Sequence, residues 1–178
     1  MACLPVPIAS KARLLALVLR IAGGCALLVF GSAPSPADAA PKGPEARVLE
    51  RALRLLPQVP DVPVRFIDPE LAPDPDAIRR LDAFLVRELD GRIRQVIYLN
   101  RRSLLVEKAL AGRDIDIAIL AAVLRHEVEH LRGGGEQEAR NAERAFFQHL
   151  MFVGHVPLND GLVYLADLEQ HHHLREAR

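Results

Sequence analysis

The stretch that most constrains this chain runs from Asp114 to Arg132. From Ile115 to Leu124 it is so apolar that a helix formed there is buried on most sides, and the rest of the fold has to wrap around it. Arg125, Glu129 and Arg132 supply its one polar stripe, at helical spacing. On its last turns stand His126-Glu127-Val128-Glu129-His130. Residues four apart stack on one helix face, so His126 and His130 aim their imidazoles at a common point, in line with Ile119, Ala122 and Val123. They therefore point inward, with Glu127 beside them. Two histidines at this spacing, with a carboxylate next to the first, form the pattern of a hydrolytic zinc centre in which the glutamate acts as base.

A catalytic zinc usually takes three protein ligands and keeps one position open, so a further ligand is required. Gly133-Gly134-Gly135 ends the helix, and a second helix is expected from Glu136 to Val153, with Ala139, Phe146, Leu150 and Val153 on one face. Glu136 and Glu138 both follow the turn closely. Advancing 100° per residue brings Ala139, Glu143, Phe147 and Leu150 within about 60° of Glu136 and leaves Glu138 on the other side. Glu136 is thus the expected third ligand, with Glu138 in reserve. Glycines tolerate the positive φ that lets the chain reverse within a few residues.

The first 39 residues read differently. Lys11 and Arg13 precede an apolar run from Leu14 to Phe30, and Ser and Pro residues then lead to Ala37-Asp38-Ala39, a small-residue cleavage pattern. A secretory leader is expected over 1–39 and one domain over 40–178. Arg20 and the Gly23-Gly24 pair argue against a permanent span, so a membrane is a partner only if this segment is retained. Cleavage after Ala39 would remove both cysteines, Cys3 and Cys25, and leave histidine and carboxylate as the zinc ligands. Lys plus Arg and Asp plus Glu balance at 23 each, so no overall positive field marks nucleic acid as a partner.

Between leader and motif, a helix is expected over 44–56, ended by Pro57. A proline-rich wrapping segment follows to Pro75, with an edge strand over 62–67. Asp82–Glu88 and Arg92–Asn100 flank Asp90-Gly91, which predicts a β-hairpin; a helix over 76–89 is the competing reading. A short helix is expected over 103–111, and a last helix from about Asn159 or Asp160 through Leu174.

The string His126-Glu-x-x-His130 with Glu136 downstream resembles the zincin metallopeptidases, over roughly residues 95–153. The resemblance implies two histidine ligands, a glutamate ligand in the next helix and a glutamate base, as in the gluzincin branch. These fall here on His126, His130, Glu136 and Glu127. Glu136-Gln137-Glu138-Ala139 is also similar to the Glu-x-Glu-Ala-Asp string of membrane-associated zinc peptidases, with Arg140 in place of the Asp. The spacing from His126 to Glu136 is similar to that of metzincins, which carry His or Asp where Glu136 stands. Zincins place a sheet edge beside the metal, and Ile97-Tyr98-Leu99-Asn100 is either that edge, holding an extended peptide by β-augmentation, or a core strand.

The fold expected is α+β, a minimal zincin-like domain in which a small antiparallel sheet packs on the motif helix, with further C-terminal helices. The function expected is an exported, periplasmic or extracellular zinc-dependent peptidase acting on a peptide or protein, with Glu127 as general base. The alternatives are a non-catalytic zinc-binding or partner-binding domain outside the cytoplasm, and a helical protein without metal. His149, His155 and Tyr164 are candidates for stabilising an oxyanion or, more simply, packing and surface residues. His171-His172-His173 reads as a solvated helix end.

Overall fold

A computed structural model describes residues 41–72, 74–88 and 90–176, with side chains as far as 169, and two short strands at β1 (Val18–Leu19) and β2 (Leu27–Phe30). The expected leader otherwise lies outside the described residues, as do the side chains of His171 to His173. Helix α1 (Pro44–Leu55) opens with proline at its first position and buries Val48, Leu49 and Ala52. Strand β3 (Val64–Ile67), a 3-10 turn at Pro69–Leu71 and the single-turn helix α2 (Pro75–Ile78) follow. Asp74 starts α2 by accepting a hydrogen bond from the Ala77 amide.

Strands β4 (Ala83–Glu88) and β5 (Ile93–Asn100) form the expected hairpin, turning at Gly91 with φ of 86°. The competing helix over 76–89 is confined to α2. The period-two pattern divides the sheet's side chains. Val64, Phe66, Ala83, Leu85, Ile97 and Leu99 face the helices, while Ile67, Phe84, Val86 and Tyr98 face the segment carrying the 3-10 turn and α2. Phe84 and Tyr98 lie opposite each other across the hairpin and stack with centroids 5.5 Å apart. The Asn100 amide, fully buried, donates to the carbonyls of Ile78 (3.0 Å) and Leu81 (2.9 Å) and so pins the wrapping segment to the end of β5.

One expectation about the sheet is corrected, and one alternative is decided. It is mixed, not antiparallel: β3 runs parallel to β5, because the chain leaving β3 crosses past β5 before entering β4 on its far side. The same crossing makes β5 an inner strand, between β4 and β3, so Ile97 to Asn100 form core and not a sheet edge, and all four are buried. In the strand order β1-β2-β4-β5-β3, β3 is an edge strand, as its donor-lacking Pro63 suggests, while β2 lies in parallel along the far side of β4.

Four helices complete the domain: α3 (Leu104–Leu110), α4 (Asp114–Leu131), α5 (Glu136–Phe152) and α6 (Leu158–Glu176). Ser103 caps α3 through the Val106 amide. Helix α4 is the wrapped element its sequence requires: Ile117, Leu120, Ala121 and Leu124 are at most 2% exposed. Its polar stripe is paired, Arg125 to Glu129 at 2.9 Å. No helix among the described residues is long and apolar enough to cross a membrane.

Candidate metal centre

The end of α4 is shaped by a turn that only glycine fits well. Gly133 takes φ of 90°, its amide bonds the His130 carbonyl, and the Gly134 amide reaches back to the Glu129 carbonyl, the paired bonds of a Schellman motif. A Cβ on Gly134 would come within 2.9 Å of the Glu129 side chain and 3.0 Å of its carbonyl oxygen. The chain therefore folds back tightly, and α5 starts one residue after Gly135, laid against α4.

This brings His126, His130 and Glu136 together: the ligand atoms they offer all lie within 4.8 Å of one another. The two Nε2 atoms are 3.1 Å apart, and Glu136 Oε2 is 3.4 Å from His130 Nε2 and 3.8 Å from His126 Nε2. The three side chains are only 12%, 13% and 19% exposed, in the order His126, His130, Glu136. Glu138 is not part of the group. It is exposed and folds its carboxylate over Gly135.

Each member of the group is held from behind. His126 Nδ1 is 2.9 Å from Glu143 Oε2, and the Tyr164 hydroxyl donates to Glu143 Oε1 at 2.5 Å. His130 Nδ1 is 3.0 Å from the Gly134 carbonyl oxygen. Arg140 Nε donates to Glu136 Oε1 at 2.7 Å and leaves Oε2 facing the histidines. A carboxylate and a carbonyl accept only, so both Nδ1 atoms carry the proton and both Nε2 atoms turn lone pairs toward the shared point. Two lone pairs 3.1 Å apart repel unless a cation or a proton lies between them.

The titration of these groups follows. Burial works against a charged His126, but the Glu143 hydrogen bond and the charges of Glu127, Glu143 and Glu136 outweigh it and raise its pKa. His130 is raised in the same way against burial, through Glu136, the Gly134 carbonyl and Glu127. Burial would raise Glu136, yet the bond that His130 donates when protonated and the bond from Arg140 carry it below the ordinary carboxylate value. Burial, then the Glu143 charge, pushes Tyr164 well above the usual phenol value, so it stays a donor.

Glu127 is 2% exposed, and its charge acts on both imidazoles. Tyr164, weighed from sequence as an oxyanion donor, spends its hydroxyl on Glu143. His149 and His155 are exposed and lie outside the group. Glu143 is the residue whose role the sequence reading missed. It falls on the packing face with Glu136, and a carboxylate there, itself only 6% exposed, needed a buried partner.

Comparison of the chain with family models, with curated proteins and with solved structures finds no match in any of the three. The chemistry of the site rests on its own geometry.

Proposed function

We propose that this chain is an exported zinc-dependent peptidase whose metal is held by His126, His130 and Glu136 and whose general base is Glu127. One observation carries the reading: two Nε2 lone pairs and one carboxylate oxygen converge on a single point while the far side of each ligand is already hydrogen-bonded. Three ligands about 2.0–2.1 Å from a tetrahedral zinc stand roughly 3.4 Å apart, and the separations here, 3.1, 3.4 and 3.8 Å, bracket that value. Two imidazoles and a carboxylate also match zinc's preference in donors, and three protein ligands are what a catalytic site supplies.

Zinc held there would polarise a scissile carbonyl and make water acidic enough to attack it at neutral pH. The chain's own residues do the rest. Glu127, one residue along α4 from His126, takes a proton from the attacking water and hands it to the leaving amine. Its burial beside the imidazoles keeps bulk water from competing for that proton. Glu143, Gly134 and Arg140 fix the ligands, so the site needs little rearrangement during reaction.

The test has two readouts. Protein made without a polyhistidine tag should contain close to one zinc per chain by elemental analysis. Glu127→Gln should keep that zinc and lose peptide hydrolysis by at least about a thousandfold, measured on a broad peptide library. A Glu127→Gln variant that cuts as well as the parent would reject the mechanism, and a metal-free parent would reject the site.

A further inference from the structure

Helix α6 reaches the metal centre through the hydroxyl of Tyr164. Helix α6 leaves Leu158, Leu162 and Val163 exposed, so much of its apolar surface is not used to hold it in place. It is seated by Gly161, Tyr164 and Leu165, and its Glu169 pairs with Arg144 of α5 at 3.1 Å. Gly161 lies so close to Met151 of α5 that a Cβ there would come within 2.5 Å of Met151 Sδ, and one turn on, the Tyr164 ring lies 4.3 Å from Phe147. That seating delivers the Tyr164 hydroxyl to Glu143 Oε1, while Glu143 Oε2 holds His126 Nδ1. With both oxygens engaged, the carboxylate can neither rotate nor swing away from the imidazole.

We propose that Tyr164 is a positioning residue of the metal centre: by fixing Glu143 it fixes the ring of His126, so the docking of α6 sets how tightly the cation is held. This rests on the reading that His126, His130 and Glu136 bind zinc. The physical reason is orientation. A carboxylate held by one hydrogen bond samples positions in which His126 Nε2 leaves the shared point, and each such excursion opens the cation to water. A second bond from a different helix removes them. His130 needs no such bond, because its Nδ1 partner is a backbone carbonyl already fixed by the glycine turn.

Zinc alone, competed against a chromogenic chelator at fixed pH, measures the effect. Tyr164→Phe keeps the ring on Phe147 and removes only the hydroxyl, so the metal-free protein should keep its fold and melt somewhat below the parent, because one buried Glu143 oxygen loses its donor. Its zinc dissociation constant should rise about three- to tenfold, less than the roughly 10- to 100-fold expected when the direct partner is removed in Glu143→Ala. In the Glu143→Ala background, Tyr164→Phe should add nothing, since its effect passes through the missing carboxylate. Glu143→Gln tests the chain of bonds from the other side. Its amide oxygen still accepts from His126, so its loss should fall well short of that of Glu143→Ala. Cobalt loaded in place of zinc should show a shifted visible absorption in Tyr164→Phe as the ligand field relaxes.

Parent-like zinc affinity in Tyr164→Phe would overturn the proposal while leaving the zinc reading intact. So would an equal loss with and without Glu143, or equal losses in Glu143→Gln and Glu143→Ala. A parent that takes up no zinc would remove both.

Discussion

His126 and His130 stand one turn apart on the same face of α4, yet they are held by different parts of the molecule. The partner of His130 is the carbonyl of Gly134, four residues away in the turn that ends the helix. The partner of His126 is Glu143 on α5, which is itself held by Tyr164 on α6. One imidazole is fixed locally by a neutral acceptor, the other by a charged carboxylate that depends on two helices packing correctly. The lesson is that, of the two imidazoles, damage far along the chain should disturb His126 more, whereas damage at the glycine turn should disturb His130 more.

The largest way to break the distant hold is to unpack α5. Phe147 is fully buried and carries the ring of Tyr164. Phe147→Ala should cost about 3–5 kcal/mol of stability, read from urea or thermal unfolding of the metal-free protein. Zinc should restore part of the loss, by an amount that grows with its concentration. Heteronuclear NMR of the folded fraction should show the His126 ring signals shifted more than those of His130. Equal shifts of the two rings would mean that the holds are not independent.

The local hold is attacked at Gly133. Its φ of 90° lies where L side chains are strained, so Gly133→Ala should cost about 1–2 kcal/mol although nothing stands within 4 Å of the added Cβ. Since the Gly134 carbonyl follows the turn, zinc affinity should fall and the His130 Nδ1 proton should exchange faster, with that of His126 unchanged. A stability loss with an undisturbed His130 would detach the turn from the centre.

These two holds also divide what the sequence could reveal. The glycine turn, the buried helix and the choice of Glu136 over Glu138 are local matters, settled by helical period and by glycine's access to positive φ. The hairpin was legible for the same reason: Asp90-Gly91 between alternating apolar residues is short-range information. The parallel pairing of β3 with β5 was not, because nothing within Val64 to Ile67 records which side of β5 the chain will reach after crossing. Nor was the bond from Glu143 to His126, which spans seventeen positions and depends on the angle at which α5 packs on α4.

Acidity separates the metal-free protein from the loaded one. His126 and His130 have folded pKa values raised above the ordinary value of about 6.5. Their contribution to metal-free stability is therefore fully present below about 6.5 and is lost as pH rises through the raised values. Glu136 is shifted the other way, so its contribution is present above the ordinary carboxylate pKa and is lost as pH falls through its lowered value. Metal-free stability should peak on the acid side of neutrality, while zinc, which competes with the imidazole protons, should bind more tightly as pH rises. The gain in melting temperature on adding zinc should grow from pH 6 to pH 8. In Glu143→Gln that growth should be shallower, because His126 loses its charged partner while His130 keeps its carbonyl. An unchanged slope would assign the pH dependence to His130 alone.

The smallest effect expected separates the two carboxylates that open α5. Glu136 and Glu138 are two residues apart, which on a helix turns them to different sides. Only Glu136 faces the imidazoles, with Arg140 holding its second oxygen; Glu138 is exposed over Gly135. Glu138→Gln should change zinc affinity by less than about twofold, the remainder being the loss of one negative charge from the first turn of α5. Glu136→Gln replaces the anionic ligand with a weakly donating amide beside a cationic Arg140, and zinc should then bind at least about a hundredfold more weakly. If the two variants lost zinc equally, the ion would have to be shared between both carboxylates. The turn after Gly135 would then have to open in the loaded protein, and the local hold on His130 would open with it.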